Sequence, residues 1–163
     1  METSTGPESG RPNGRDHFTV ADAEVQSALA LAEEGDAAPE ERAEMLMEIA
    51  RGLQIKPRSP RQLHDAVALY ERALALVPPT FALLAARIRA RQGTAYQTLP
   101  DGGTAALESA RDCFEAARAD LATHGLAEEV AELDMNLGLV TQTLCAAHRA
   151  TIQEAIAHYH RAL

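Results

Sequence analysis

Six histidines, two cysteines and several adjacent carboxylates are the side chains of this 163-residue chain that could hold a metal, attack a carbonyl or move a proton. His148, His158 and His160 lie closest together, but His158 and His160 are two residues apart and project from opposite sides of a helix. A helical metal pair needs i, i+3 or i, i+4 spacing. Glu154 and His158 have that spacing, yet two ligands fall short of a closed site, so no metal and no cofactor is expected. Nucleophilic cysteine chemistry needs a histidine and an orienting group converging on the thiol. Cys113 sits beside Phe114 and Cys145 follows Leu144, and both read as small apolar residues within helices. No CxxC exists to bind a metal or form a redox pair. Glu33-Glu34, Glu40-Glu41 and Glu128-Glu129 fall in the first or last turns of helices, where those at the starts favour the helix dipole. They are expected at the surface and not as acid–base pairs. The chain has no GxxxxGK[ST], GxGxxG or GxSxG, so it is not expected to be an enzyme.

The elements that carry these residues follow from composition. The chain has 33 Ala and 19 Leu against 11 Val plus Ile, with no Trp and six aromatics. That mixture favours helix and deprives a sheet of the residues it packs with. No run approaches the roughly 20 apolar residues a membrane span needs. Met1 to Arg15 has no apolar stretch of the secretory kind, so a cytoplasmic location is expected, with no membrane contact. A net charge of −9 argues against nucleic acid as a partner. The total conceals an uneven distribution. Residues 1–50 hold 12 acids and 3 bases, residues 51–100 hold 2 and 8, and residues 101–163 hold 10 and 4. The basic middle includes Arg87, Arg89 and Arg91, which could recruit an acidic peptide.

Residues 1–18 are rich in Gly, Pro, Ser and charge and read as a disordered tail. Thr19 caps a first helix through residue 35, with Val25, Ala28, Leu29 and Ala32 on its apolar face and Gly35 as C-cap. A second runs from about Pro39 to Gln54. Ser59-Pro60-Arg61-Gln62 then offers an N-cap serine, a proline in the first turn and a capping-box glutamine. Pro78-Pro79 stops the third helix, and Thr80 is expected to cap the fourth, which runs to about Leu99. A Pro-Asp-Gly-Gly turn leads to a helix opened by Thr104 and ending near Gly125. Val130, Leu133, Leu137, Val140 and Leu144 mark a sixth helix, and the capping box Thr151-Ile152-Gln153-Glu154 a seventh.

An internal repeat runs through these helices. Ala66, Tyr70 and Ala73 recur as Ala110, Phe114 and Ala117, and again as Ala155, Tyr159 and Ala162, at offsets of 44 and 45 residues. Gly52, Gly93 and Gly138 recur in the preceding helices. A glycine inside a helix costs about 1 kcal/mol against alanine, so three in series imply close helix packing. The small residues would admit a neighbouring backbone, and the aromatic would fill the gap.

The pattern resembles the tetratricopeptide repeat. Asn136-Leu137-Gly138 and Gly93-Thr94-Ala95-Tyr96 are similar to that family's helix A, and Ala66/Tyr70/Ala73 with its two copies to helix B. The resemblance implies a right-handed α-solenoid of antiparallel helix pairs over residues 36–163, three repeats with the last truncated, behind a capping helix at residues 19–35. The period is about ten residues longer than the family's usual one, which is similar to variant repeats of bacterial signalling proteins, including those that precede caspase-like protease domains. Glu48, Arg89 and Asp134 stand where a bulky aromatic usually opens helix A.

By that resemblance, helix A lines a concave groove that binds a peptide or protein segment. Counted from the glycines, the groove positions are Arg87, Ala90, Thr94, Gln97 and Thr98 in the second repeat and Glu132, Met135, Leu139, Gln142 and Thr143 in the third. In the first they are the apolar Leu46, Ile49 and Leu53. Arg87 and Arg91, one turn apart, would favour an acidic partner. The function implied is a non-enzymatic scaffold or adaptor. Self-association through an uncapped last repeat and a regulatory array of a larger enzyme are the alternatives.

Overall fold

The computed structural model describes residues 23–163 and folds them into seven α-helices, with no strand among the described residues. They are α1 (Ala23–Glu34), α2 (Pro39–Ile55), α3 (Pro60–Leu76), α4 (Ala82–Gln97), α5 (Gly103–His124), α6 (Ala127–Ala146) and α7 (Ile152–Ala162). The expected tail at residues 1–18 and the cap at Thr19 lie outside the described residues.

Most helix ends follow local chemistry. Thr151 Oγ1 accepts from Glu154 N at 3.4 Å while Glu154 Oε2 accepts from Thr151 N at 2.7 Å, the reciprocal pair expected of a capping box. At α3 the proline sits in the first turn as expected, but Gln62 Oε1 accepts from Arg58 N at 2.7 Å, one residue earlier than a capping box requires. Thr80 does not cap α4. Phe81 N–H closes a turn onto Pro78 O at 2.9 Å, which carries the chain one residue further before the helix begins. Gly103, with a positive φ of 53°, opens α5 one residue ahead of Thr104.

Consecutive helices pack on one another, and α2, α4 and α6 also touch in series along one side. Neighbours run antiparallel: Arg89 faces Asp120 while Gly93 faces Phe114, and Asp134 meets Arg161 while Gln142 meets Tyr159. One apolar cluster joins α1 to α4 around Leu46, Val67, Leu69 and Tyr70. A second joins α4, α5 and α6 around Phe114, Leu121, Leu137 and Leu144, and Tyr96 packs against both.

The repeated positions meet at the helix contacts. Ala66, Tyr70, Ala73, Ala110, Phe114, Ala117 and Ala155 are fully buried, whereas Tyr159 and Ala162 on α7 are half-buried. The Phe114 ring lies so close to Gly93 that a Cβ there would stand 2.6 Å from Cε1, and Tyr159 covers Gly138 equally closely at 2.5 Å. Gly52 breaks the series. It is exposed, with open space where a Cβ would go, so it serves no close approach.

The small residue in register in the first pair is the fully buried Ala50. Tyr70 Oη donates to Gln54 Oε1 at 3.0 Å, and Tyr159 Oη donates to Gln142 Oε1 at 2.8 Å. Each glutamine stands four residues after the small residue, as Ala50/Gln54 and Gly138/Gln142, with Gly93/Gln97 between them. Phe114 has no hydroxyl, so Gln97 receives no such bond. This motif, a small residue followed four positions later by glutamine, aligns the three pairs correctly where the glycines alone do not.

Candidate functional site

Shifting the first-pair register by two residues redraws the groove. A cavity of about 600 Å³ lies between α2, α4 and α6. From α2 it takes Met47, Arg51, Gln54 and Ile55, from α4 Arg87, Ala90, Arg91, Thr94 and Thr98, and from α6 Glu129, Glu132, Leu133 and Asn136, with Leu121 of α5. Leu46, Ile49 and Leu53, expected to make the first part of the groove apolar, do not line it; all three pack in the apolar core instead. The first segment is therefore mixed and basic.

Of the expected groove residues, Arg87, Ala90, Arg91, Thr94, Thr98 and Glu132 share this cavity. Gln97, Met135, Leu139 and Gln142 are not among its lining residues. Met135 and Leu139 are exposed at 58% and 53% on α6, and Gln142 receives the Tyr159 hydroxyl. Residues 129, 132, 133 and 136 line the cavity from α6; Met135 lies further round the helix, and Leu139, seven residues after Glu132, lies on the same edge two turns further along.

Arg87, Arg89 and Arg91 of the basic middle have separate fates. Arg89 turns to α5, with Nη1 3.9 Å from Asp120 Oδ2. Arg87 grips Glu129 with two parallel hydrogen bonds, Nε to Oε1 at 2.7 Å and Nη2 to Oε2 at 3.2 Å. The same Glu129 carboxylate accepts from Leu126 N at 2.9 Å and so caps α6. The Arg87 hydrogen bond and then the Leu126 amide hold the Glu129 carboxyl below the usual carboxylate range, and Glu129 in turn raises Arg87. Arg51 pairs along its own helix with Glu48 at 3.1 Å. Arg91 is half-buried in the cavity and makes no ion pair among the described residues. Behind it, burial pushes the Tyr70 hydroxyl up to about 12, against the opposing field of Arg91.

A second cluster joins α5, α6 and α7. The Asp134 carboxylate is fully buried and takes Arg118 through Nε at 2.8 Å and Nη2 at 3.0 Å, and Arg161 through Nε at 3.2 Å. Arg161 also meets His158 Nδ1, which lies 4.0 Å from Asp134 Oδ1. This ties the three helices together. No group of three or more His, Cys, Asp or Glu side chains able to hold a metal occurs among the described residues. Cys113 Sγ donates to Gln92 Oε1 at 3.5 Å, and burial pushes its thiol up to about 11, the opposite of what a nucleophile requires. Cys145 is half-buried. No described helix is long and apolar enough to cross a membrane.

Three features of the site escape a reading by spacing. Glu129 looks like an ordinary helix-start acid, yet it reaches across 42 residues to Arg87. Arg51 and Gln54 are hidden by the misleading Gly52; the recurring Gln54, Gln97 and Gln142 are the signal that would find them. Asp134 occupies a position whose counterpart on α4 is Arg89, so no common residue type marks it. Comparison of the chain with protein-family models, with curated proteins and with solved structures gave no match.

Proposed function

We propose that the chain is a non-enzymatic interaction scaffold, a right-handed solenoid of tetratricopeptide-like helix pairs that binds a segment of another protein between α2, α4 and α6. The observation that carries this reading is the cavity itself. It is wide enough for a few side chains and combines apolar floor residues such as Ala90 and Leu133 with polar groups at its rim. Antiparallel pairs recurring about every 44 residues, with a ring seated on a glycine in two of them and a buried Ala50 in register in the first, support the repeat assignment. The test is a photo-crosslinking amino acid placed at Thr94, in the cavity, or at Glu115, exposed on α5. Discrete polypeptide adducts are expected from Thr94 and not from Glu115. Equal labelling at the two positions, or none, would count against the groove.

A second reading rests on α7. Ile152 and Ile156 are exposed along one stripe of that helix, in line with Leu163 just after it. They correspond to Leu63, Val67 and Leu74 of α3, where Val67 is fully buried and the other two half-buried. The stripe supports self-association. On this reading, light scattering at two concentrations gives a mass that rises with concentration and that Ile156→Glu returns to the monomer value. A monomer at both concentrations rules it out.

A further inference from the structure

The groove holds a second piece of information, about the chemistry of what fills it. The chain as a whole carries −9, yet this cavity brings Arg51, Arg87 and Arg91 together against Glu129 and Glu132. Arg51 and Arg87 are each paired already, with Glu48 and Glu129, which leaves Arg91 as the cation that an incoming anion meets first. The arrangement of these charges says more than their sum. Arg87 already holds a carboxylate in the bidentate geometry that guanidinium groups prefer, and that carboxylate comes from the protein's own α6. One turn along the same helix, Arg91 faces the same space with no carboxylate hydrogen-bonded or ion-paired to it, although its charge also acts on Glu129.

We propose that the groove takes an acidic peptide, with Arg91 as its first anchor, and that Glu129 is an internal competitor that the peptide's carboxylate displaces from Arg87. The inference rests on the groove reading and narrows it to a partner class. Arg91 is open from the start, so a first acidic side chain binds without cost to the fold. A second must take Arg87 from Glu129, which keeps its bond to Leu126 N and so need not leave its helix. Glu132 stands at the same rim and repels a carboxylate placed beside it, which limits the acidic residues to the α4 side. The floor residues Ala90 and Leu133 favour an apolar side chain next to the acid.

The experiment uses the full chain and fluorescein-labelled peptides of alternating Glu and Leu, with Gln/Leu and Lys/Leu counterparts, read by anisotropy. The Glu peptide is expected to bind at least tenfold tighter than the Gln peptide, and Arg91→Glu to abolish that preference. Arg91 makes no ion pair among the described residues, but its charge acts on Glu129. Arg91→Gln, which removes the charge without reversing it, is therefore the control: it is expected to lose the preference too, with thermal unfolding close to the parent's. Glu129→Gln keeps an acceptor for Leu126 N but removes the charge that holds Arg87. It is expected to tighten the Glu peptide several-fold and to leave the Gln peptide unchanged. If the Gln or Lys peptide binds as well as the Glu peptide, or if Glu129→Gln leaves the Glu peptide unaffected, the acidic-partner inference is overturned while the groove stands. If none of the three binds and Thr94 yields no crosslink, the groove reading itself falls.

Discussion

Phe114→Ala is expected to cost about 3–5 kcal/mol of unfolding free energy, because it empties a fully buried ring position in the second apolar cluster. The more informative change is on the other side of that contact. Alanine is normally better than glycine inside a helix by about 1 kcal/mol. At Gly93 that gain is overridden. The new Cβ would meet Phe114 Cε1 at 2.6 Å and Cδ1 at 2.8 Å, and a ring with no exposed edge cannot slide away. Overpacking of this kind costs about 1–3 kcal/mol, so Gly93→Ala is expected to be a net loss.

The three glycines of the series separate under this argument. Gly138→Ala meets a half-buried tyrosine ring that can move outward at the expense of its bond to Gln142, so its effect is expected to be smaller than that of Gly93→Ala. Gly52→Ala meets nothing and is expected to stabilise α2 by up to about 1 kcal/mol. Urea unfolding of the three variants gives the order. A double-mutant cycle completes the test: on a Phe114→Leu background, Gly93→Ala should lose most of its penalty. If Gly93→Ala and Gly52→Ala stabilise alike, the ring does not seat on the glycine as described.

That ordering also shows what could be read from the chain and what could not. Seven helices were legible because Pro60, Pro78-Pro79, Gly102-Gly103 and the Thr151 capping box mark helix ends locally. Tyr70, Phe114 and Tyr159 were legible as equivalent because aromatics are so scarce that three in phase stand out. The register of the first pair was not, since Gly52 attracts attention by its cost whereas Ala50, the fully buried residue four positions before Gln54, is one alanine among 33. A two-residue slip on a helix turns the face by more than half a turn. It therefore replaced the observed Met47, Arg51 and Gln54 with the core residues Leu46, Ile49 and Leu53. The ion pairs were illegible for a different reason. Arg87 with Glu129 and Arg118 with Asp134 span loops, and no helical period connects their partners.

Asp134→Ala is the second large effect expected. Taking a carboxylate from two hydrogen-bonded arginines in a fully buried site typically costs about 3–5 kcal/mol. Here Arg118 and Arg161 are 33% and 40% exposed and recover water when released, which lowers the expected loss to about 2–3 kcal/mol. The pH dependence identifies the site. Burial alone would raise the Asp134 carboxyl, but the hydrogen bonds from Arg118 and Arg161 outweigh it and hold it below the ordinary value. Its contribution is therefore complete above the unfolded value of about 3.9 and is lost as pH falls through the lower folded value. His158 is also lowered, by burial and then by Arg161. The unfolded chain protonates that histidine first, so stability begins to fall as pH drops below about 6.5 and continues to fall down to the folded value. Urea midpoints are expected to decline in two stages, the upper one erased by His158→Gln and the lower one reduced by Asp134→Ala. A parent curve level from about pH 7 to about pH 5 would remove His158 from the scheme. Because α6 carries Glu129, Glu132 and Asn136 along the groove and Asp134 in its core, loosening this cluster also loosens one wall of the groove. Binding of the acidic peptide is thus expected to weaken in acid in the parent and to be weaker at neutral pH in Asp134→Ala, although neither arginine nor carboxylate of the cluster faces the cavity.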